Sequence, residues 1–167
     1  KQAINLLIKK HSIFRTRFNF SDYKEPVQIV YSNAEINVEY TDLSNLDKKP
    51  KAQKEIIEQY LIAERKIPFD FREGQLYRFH IFNINADNGV FVFQFHHSIL
   101  DGWSVASFNT ELYKVYFELK KSDNYLPSPL ACNQRDFIIR ELIAKQDKDA
   151  ISFWRETLSE YKYLDIF

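Results

Sequence analysis

The stretch Val90-Phe91-Val92-Phe93-Gln94-Phe95 constrains this chain more than any other. β-branched and aromatic residues follow one another almost without polar interruption, over a length too short for a helix and suited to a central strand covered on both faces. Just before it, Asn85-Ala86-Asp87-Asn88-Gly89 has the chemistry of a hairpin turn, so the strand over 89–97 pairs with another over 76–84. Just after it, Val105, Phe108, Leu112, Val115, Tyr116 and Leu119 recur at helical spacing behind Ser104, a good N-cap, and that stripe packs on the sheet.

The remaining segments extend this pattern. Ile4, Leu7 and Ile8 mark an amphipathic helix ending near His11, as though the chain enters a helix part-way. Runs at 14–20, 27–31 and 36–40 read as strands separated by polar turns. From Pro50 to about Arg65 a helix presents Ile56, Ile57, Tyr60 and Leu61 on one side, and Pro68 stops it. Beyond the stiff connector Leu126-Pro127-Ser128-Pro129, two more helices carry Phe137, Ile138 and Leu142, then Ile151, Phe153, Trp154 and Leu158. Hairpin and helical connections together predict an α/β fold, a mixed open sheet with helices packed against it.

Composition narrows the function. Lys+Arg and Asp+Glu both number 23, so no bulk field favours nucleic acid or an anionic membrane surface. With 45% hydrophobic residues the chain is not disordered. It has no apolar run approaching the ~18 residues of a membrane span and no signal peptide, which predicts a cytoplasmic protein. The single Cys132 excludes a disulfide framework and a multi-cysteine metal site. The absence of Met marks a piece of a longer polypeptide.

Chemistry concentrates in His96-His97-Ser98-Ile99-Leu100-Asp101-Gly102-Trp103-Ser104, where polar residues gather at the end of an otherwise apolar strand. Side chains alternate along a strand, so His96 and His97 face opposite sides, one towards a cleft and one bracing the core. That alternation argues against a shared metal ion, and no third ligand is spaced nearby. No G-x-S-x-G elbow supports a serine nucleophile at Ser98. Gly102 is read as allowing a tight turn into the helix, and Trp103 as a packing residue. Arg17, Arg78, Asp136, Trp154, His11 and His80 are assigned structural or surface roles.

This segment resembles the H-H-x-x-x-D-G signature of nonribosomal peptide synthetase condensation domains, which have the chloramphenicol acetyltransferase-like fold. Lys10-His11-Ser12-Ile13-Phe14-Arg15-Thr16-Arg17-Phe18 is similar to the family's R-H-x-x-L-R-T-x-F, with Lys10 and Phe14 departing from it. Ile67-Pro68-Phe69-Asp70-Phe71 with Gly74-Gln75-Leu76-Tyr77-Arg78 resembles P-F-D-L…G-P-L-x-R, and Arg135-Asp136-Phe137 with Phe153-Trp154-Arg155 resembles Y-x-D-(F/Y)…Y-W-R. The likeness spans nearly the whole chain and makes residues 1–167 the N-terminal lobe of such a domain, with the start of that lobe and the C-terminal lobe lying outside it.

The resemblance implies amide formation between carrier-bound acyl or peptidyl and aminoacyl thioesters in a tunnel between two lobes. It makes His97 the catalytic residue and gives His96, Asp101, Gly102 and Arg15 supporting roles, Asp101 pairing with Arg15 to fix the loop that aims His97. Trp103 and Ser104 would line the tunnel. No cofactor is bound directly, the substrates riding on 4'-phosphopantetheine. The implied partners are donor and acceptor peptidyl carrier proteins, adjacent adenylation and carrier domains, and the C-terminal lobe. Leu100 before Asp101 resembles domains that take a D-configured donor. Rival readings are an epimerisation domain, disfavoured by Trp103; a cyclisation domain, disfavoured by His96; a CoA-dependent acyltransferase; and a non-catalytic carrier-docking module.

Overall fold

The structure, a computed structural model, describes residues 1–34, 36–46, 49–72 and 74–161. It divides into two units, Lys1–Pro129 and Leu130–Phe167.

The first unit is built on a three-stranded sheet. Its strands are β3 (Val38–Asp42), β4 (Tyr77–Asn83) and β5 (Gly89–Phe95), in the order β3-β4-β5. β3 runs parallel to β4 with Val38 opposite Phe79, and the helix α2 (Pro50–Glu64) makes the crossover that a parallel pair requires. β4 and β5 form the expected antiparallel hairpin, closed by Ile84 and Asn85 N–H groups donating to the Asn88 carbonyl. A separate two-stranded ribbon joins β1 (Thr16–Asn19) to β2 (Val27–Val30).

Alternation along β4 sorts the layers. Tyr77 and Phe79 turn to one face, where α1 (Gln2–Lys10) contributes Ala3, Ile4, Leu7 and Ile8, and α3 (Gly102–Lys121) contributes Phe108, Leu112, Val115 and Leu119. Phe79, Phe93 and Phe108 stack there, with Phe14 wedged against Tyr77. His80 and Phe82 turn to the other face, against Tyr60 of α2. Buried Gln53 holds α2 to that face, its amide donating to the Leu43 and Ile84 carbonyls at 3.0 and 2.9 Å.

Several expectations need correction. The apolar run of β5 is an edge strand, not a central one: β4 is the middle strand, and among the described residues the outer edge of β5 is unpaired. Periodicity misled because phenylalanines at 91, 93 and 95 face the core while Val90 and Val92 occupy the other side, and an apolar run does not say how many neighbours a strand has. Phe14 lies not in a strand but in a 3-10 turn over Ser12–Arg15, which aims its ring inward. Tyr116 and Ile56 are exposed, each one position off the buried stripe of its helix. The cap of α3 is Asp101, not Ser104.

The second unit contains α4 (Gln134–Ala144) and α5 (Lys148–Thr157), the two helices expected. A capping box of Asn133 and Asp136 starts α4, and Asp147 caps α5. Phe137, Leu142, Phe153 and Trp154 are exposed, and none of the unit's described residues is fully buried. No helix is long and apolar enough to cross a membrane among the described residues.

Candidate active site

The end of β5 delivers the histidine pair. His96 N–H donates to the Leu76 carbonyl at 2.9 Å, extending the β4-β5 ladder one step, and Ile99 N–H then donates back to the His96 carbonyl to close a turn. Buried Ile99 and Leu100 root that turn in the core. Asp101 follows as N-cap, its carboxylate accepting from Ser104 N–H at 2.7 Å, and α3 begins at Gly102.

The two imidazoles have different surroundings, as alternation predicts. The His96 ring sits edge-on to Phe71 at 4.6 Å, while the His97 ring meets Phe95 at 5.3 Å. They also hold opposite tautomers. Ser98 N–H donates to His96 Nδ1 at 3.0 Å; an amide can only donate, so Nδ1 carries the lone pair and a neutral ring keeps its proton on Nε2. His97 Nδ1 lies 3.1 Å from the Leu100 carbonyl, which can only accept, so here Nδ1 bears the hydrogen. In neutral His97 the Nε2 lone pair is thereby the free basic position. His96 is half-buried and His97 exposed.

Around them the sequence reading is corrected at three points. Asp101 and Arg15 do not pair in the structure. The Arg15 guanidinium donates to the carbonyls of Ile8, Lys9, Tyr31 and Ser32, the first two being carbonyls that the end of α1 leaves without helical partners. Asp101 is exposed and spends its carboxylate on the α3 terminus; hydrogen bonding from Ser104 holds it below the usual carboxylate range, with a smaller contribution from nearby His97. Gly102 needs no special backbone, since no glycine of the described chain has a positive φ. Trp103, expected to pack, is 85% exposed, and Ser104 is half-buried in the first turn of α3.

The other histidines and cations take structural partners. His80 bridges Thr41 Oγ1 and Glu39, both at 2.9 Å, between the rings of Tyr60 and Phe82. His11 Nε2 donates to Glu111 at 2.6 Å and Lys10 to the same carboxylate at 2.5 Å. Arg78 donates to the Ile67 and Pro68 carbonyls and lies over Phe69, and Arg17 lies over Tyr31. Sequence reasoning missed Glu111 and the Leu100 carbonyl. The first resembles any acidic residue on an exposed helix face, and a carbonyl leaves no mark in a sequence. Among the described residues no group of three or more His, Cys, Asp or Glu is arranged to hold a metal ion.

Residues 1–166 match the family model for the condensation domain. The chain belongs to the condensation domain family. Among curated relatives it is 31% identical over 163 residues to gramicidin S synthase 2 of Brevibacillus brevis, a match covering 96% of this chain and 4% of that protein. Its fold is that of solved condensation domains. The starter condensation domain of rhizomide synthetase RzmA matches with a TM-score of 0.78 at 15% identity, over 96% of this chain and 38% of that one. VibH, an NRPS condensation enzyme, matches with a TM-score of 0.70 at 20% identity, over 98% and 37%. The condensation-domain chain thus spans a small fraction of its curated relative and well under half of each of these solved neighbours.

Proposed function

We propose that residues 1–167 are the N-terminal lobe of a condensation domain that joins a carrier-bound acyl or peptidyl donor thioester to a carrier-bound aminoacyl acceptor, with His97 as the base. The observation that carries this reading is the bond from His97 Nδ1–H to the Leu100 carbonyl, which leaves Nε2 free to accept a proton on an exposed ring.

In this reading the acceptor amine attacks the donor carbonyl, and the new C–N bond gives a tetrahedral adduct whose nitrogen passes a proton to His97 Nε2. Collapse breaks the C–S bond and the proton returns to the departing thiolate, giving an amide and a carrier thiol. An α-amino group with a pKa of about 8 is roughly one-tenth free base near neutral pH, so deprotonating it beforehand costs only about 1.4 kcal/mol. Holding the reactants at attack distance contributes about 7–11 kcal/mol, more than the ~100- to 10,000-fold a positioned base supplies. Positioning therefore dominates, and His96, Asp101 and Ser98 serve it by fixing the turn that carries His97.

The substrates reach this ring on 4'-phosphopantetheine arms, so the partners are donor and acceptor carrier proteins, neighbouring adenylation and carrier domains, and a second lobe completing the tunnel that Trp103 and Ser104 face. The site is cytoplasmic and acts without nucleic acid or membrane. Replacing His97 by Ala in the full-length polypeptide, supplied with loaded donor and acceptor carriers, is expected to lower amide formation by about 100-fold or more with the fold unchanged. Undiminished turnover overturns the assignment. An inverted stereocentre in place of an amide identifies an epimerisation domain instead.

A further inference from the structure

Asn88 is the one asparagine of the sequence that glycine follows. The pair stands at the tip of the β4-β5 hairpin, and both residues are exposed. Glycine at 89 is required by the fold. A Cβ there would stand 3.0 Å from the Phe82 carbonyl oxygen, a backbone atom that cannot swing aside as a flexible side chain can. The dipeptide is therefore not broken from the glycine side without strain.

Strand register decides where the Gly89 nitrogen points. Ile84 N–H donates to the Asn88 carbonyl and His96 N–H to the Leu76 carbonyl, so 84 with 88 and 76 with 96 are hydrogen-bonded pairs. Such pairs alternate with non-hydrogen-bonded ones along antiparallel strands, and Gly89, opposite Asn83, falls in the second class. Its N–H faces away from β4, towards the edge of β5 that is unpaired among the described residues. The Asn88 carboxamide meets only the turn itself. Its Nδ2 donates to Asn85 Oδ1 at 3.1 Å, and that oxygen also accepts from the Asp87 and Asn88 N–H groups at 3.0 and 2.9 Å. A backbone nitrogen outside the ladder, with no side chain to crowd it, thus follows directly on an exposed carboxamide.

We propose that Asn88-Gly89 is a self-modification site, where the Gly89 nitrogen deamidates Asn88 and leaves aspartate and isoaspartate in the hairpin. Water is the only co-reactant, and nothing is oxidised or reduced. The Gly89 nitrogen gives its proton to solvent base and bonds to Asn88 Cγ, closing a succinimide. The Cγ–Nδ2 bond breaks, and Nδ2 takes a proton from solvent and leaves as ammonia. Water then opens the ring. Cleavage of the new bond restores the ordinary backbone with an aspartyl side chain at 88. Cleavage of the original peptide bond instead routes the chain through Cβ and frees the α-carboxylate, a substrate for a methyltransferase specific for isoaspartyl carboxylates. Either product sets a new negative charge beside Asp87, and isoaspartate lengthens the turn that starts β5. The inference does not depend on the assignment of His97.

The test incubates the full-length polypeptide and follows every asparagine by peptide mapping, with Asn88→Gln alongside. Glutamine keeps a carboxamide but has to close a larger ring. The Asn88 peptide is expected to gain the mass difference between an amide and an acid roughly tenfold or more faster than any other asparagine peptide. The rate is expected to rise several-fold from pH 7 to pH 8, because the attacking nitrogen must first lose its proton. Part of the product is expected to resist an aspartate-specific protease and to accept a methyl group from an isoaspartyl methyltransferase. Asn88→Gln is expected to abolish the conversion at 88. An Asn88 that converts no faster than the other asparagines, or only once the protein is unfolded in urea, overturns the inference. So does a product that is aspartate alone, which would mean direct hydrolysis without the ring.

Discussion

Asp101 stands where the histidine turn gives way to α3. Its backbone leaves the turn in which the Leu100 carbonyl holds His97, and its carboxylate closes the first turn of α3. Because folding lowers its pKa, its contribution to stability is present above the unfolded value near pH 3.9 and is lost as pH falls through the folded value. Asn caps a helix about as well as Asp and does not titrate. Asp101→Asn is therefore expected to keep the neutral-pH melting temperature and lose the acid sensitivity that the wild type shows below about pH 4, whereas Asp101→Ala is expected to melt lower at neutral pH. Equal melting temperatures for Ala and wild type would remove the cap from the account. The motif was legible as residue types, and so was the opposite facing of His96 and His97. What Asp101 binds was not, because an aspartate before a helix and an aspartate paired with an arginine look the same in a sequence. The four carbonyls that hold Arg15 are equally silent there.

At the scale of elements, α1 and α3 are joined by packing of Leu7 and Leu112-type residues and by one charged knot. Lys10 and His11, at the end of α1, both grip Glu111 in the middle of α3. Partial burial would raise the Glu111 pKa, but hydrogen bonds and charge from Lys10 and His11 outweigh that and hold it below its ordinary 4.5. The depressed value means a contribution to stability that is present above about pH 4.5 and disappears as the carboxylate protonates in acid. Glu111→Gln is expected to cost about 1–3 kcal/mol in urea unfolding at pH 7, with the difference from wild type shrinking as pH falls. A constant difference across that range would mean the side chain acts by packing. Helix positions were readable because their apolar spacing is a local property: α2 ends one residue from the expectation and both later helices are present. The edge position of β5 was not readable, since strand order is a relation among segments and leaves no local trace.

Across the whole molecule, burial is divided unequally. Among the described residues every buried one lies in Lys1–Pro129, and α4 and α5 have none. Amide hydrogen exchange of this chain is expected to be fast throughout α4 and α5 and slowest in β4, whose neighbours lie on both sides and both faces. Comparable protection in α4 and β4 would contradict that division. The parallel pairing of β3 with β4 has a consequence for the order of events. Asn83 must leave the ribosome before Asp42 can find its partner, whereas the β4-β5 turn closes over a handful of residues. Since closing a short loop is entropically easier than closing a long one, the hairpin is the template and β3 the late arrival. A nascent chain halted between the two would display a phenylalanine-rich ribbon with both flanks bare, the moment at which it most needs a chaperone.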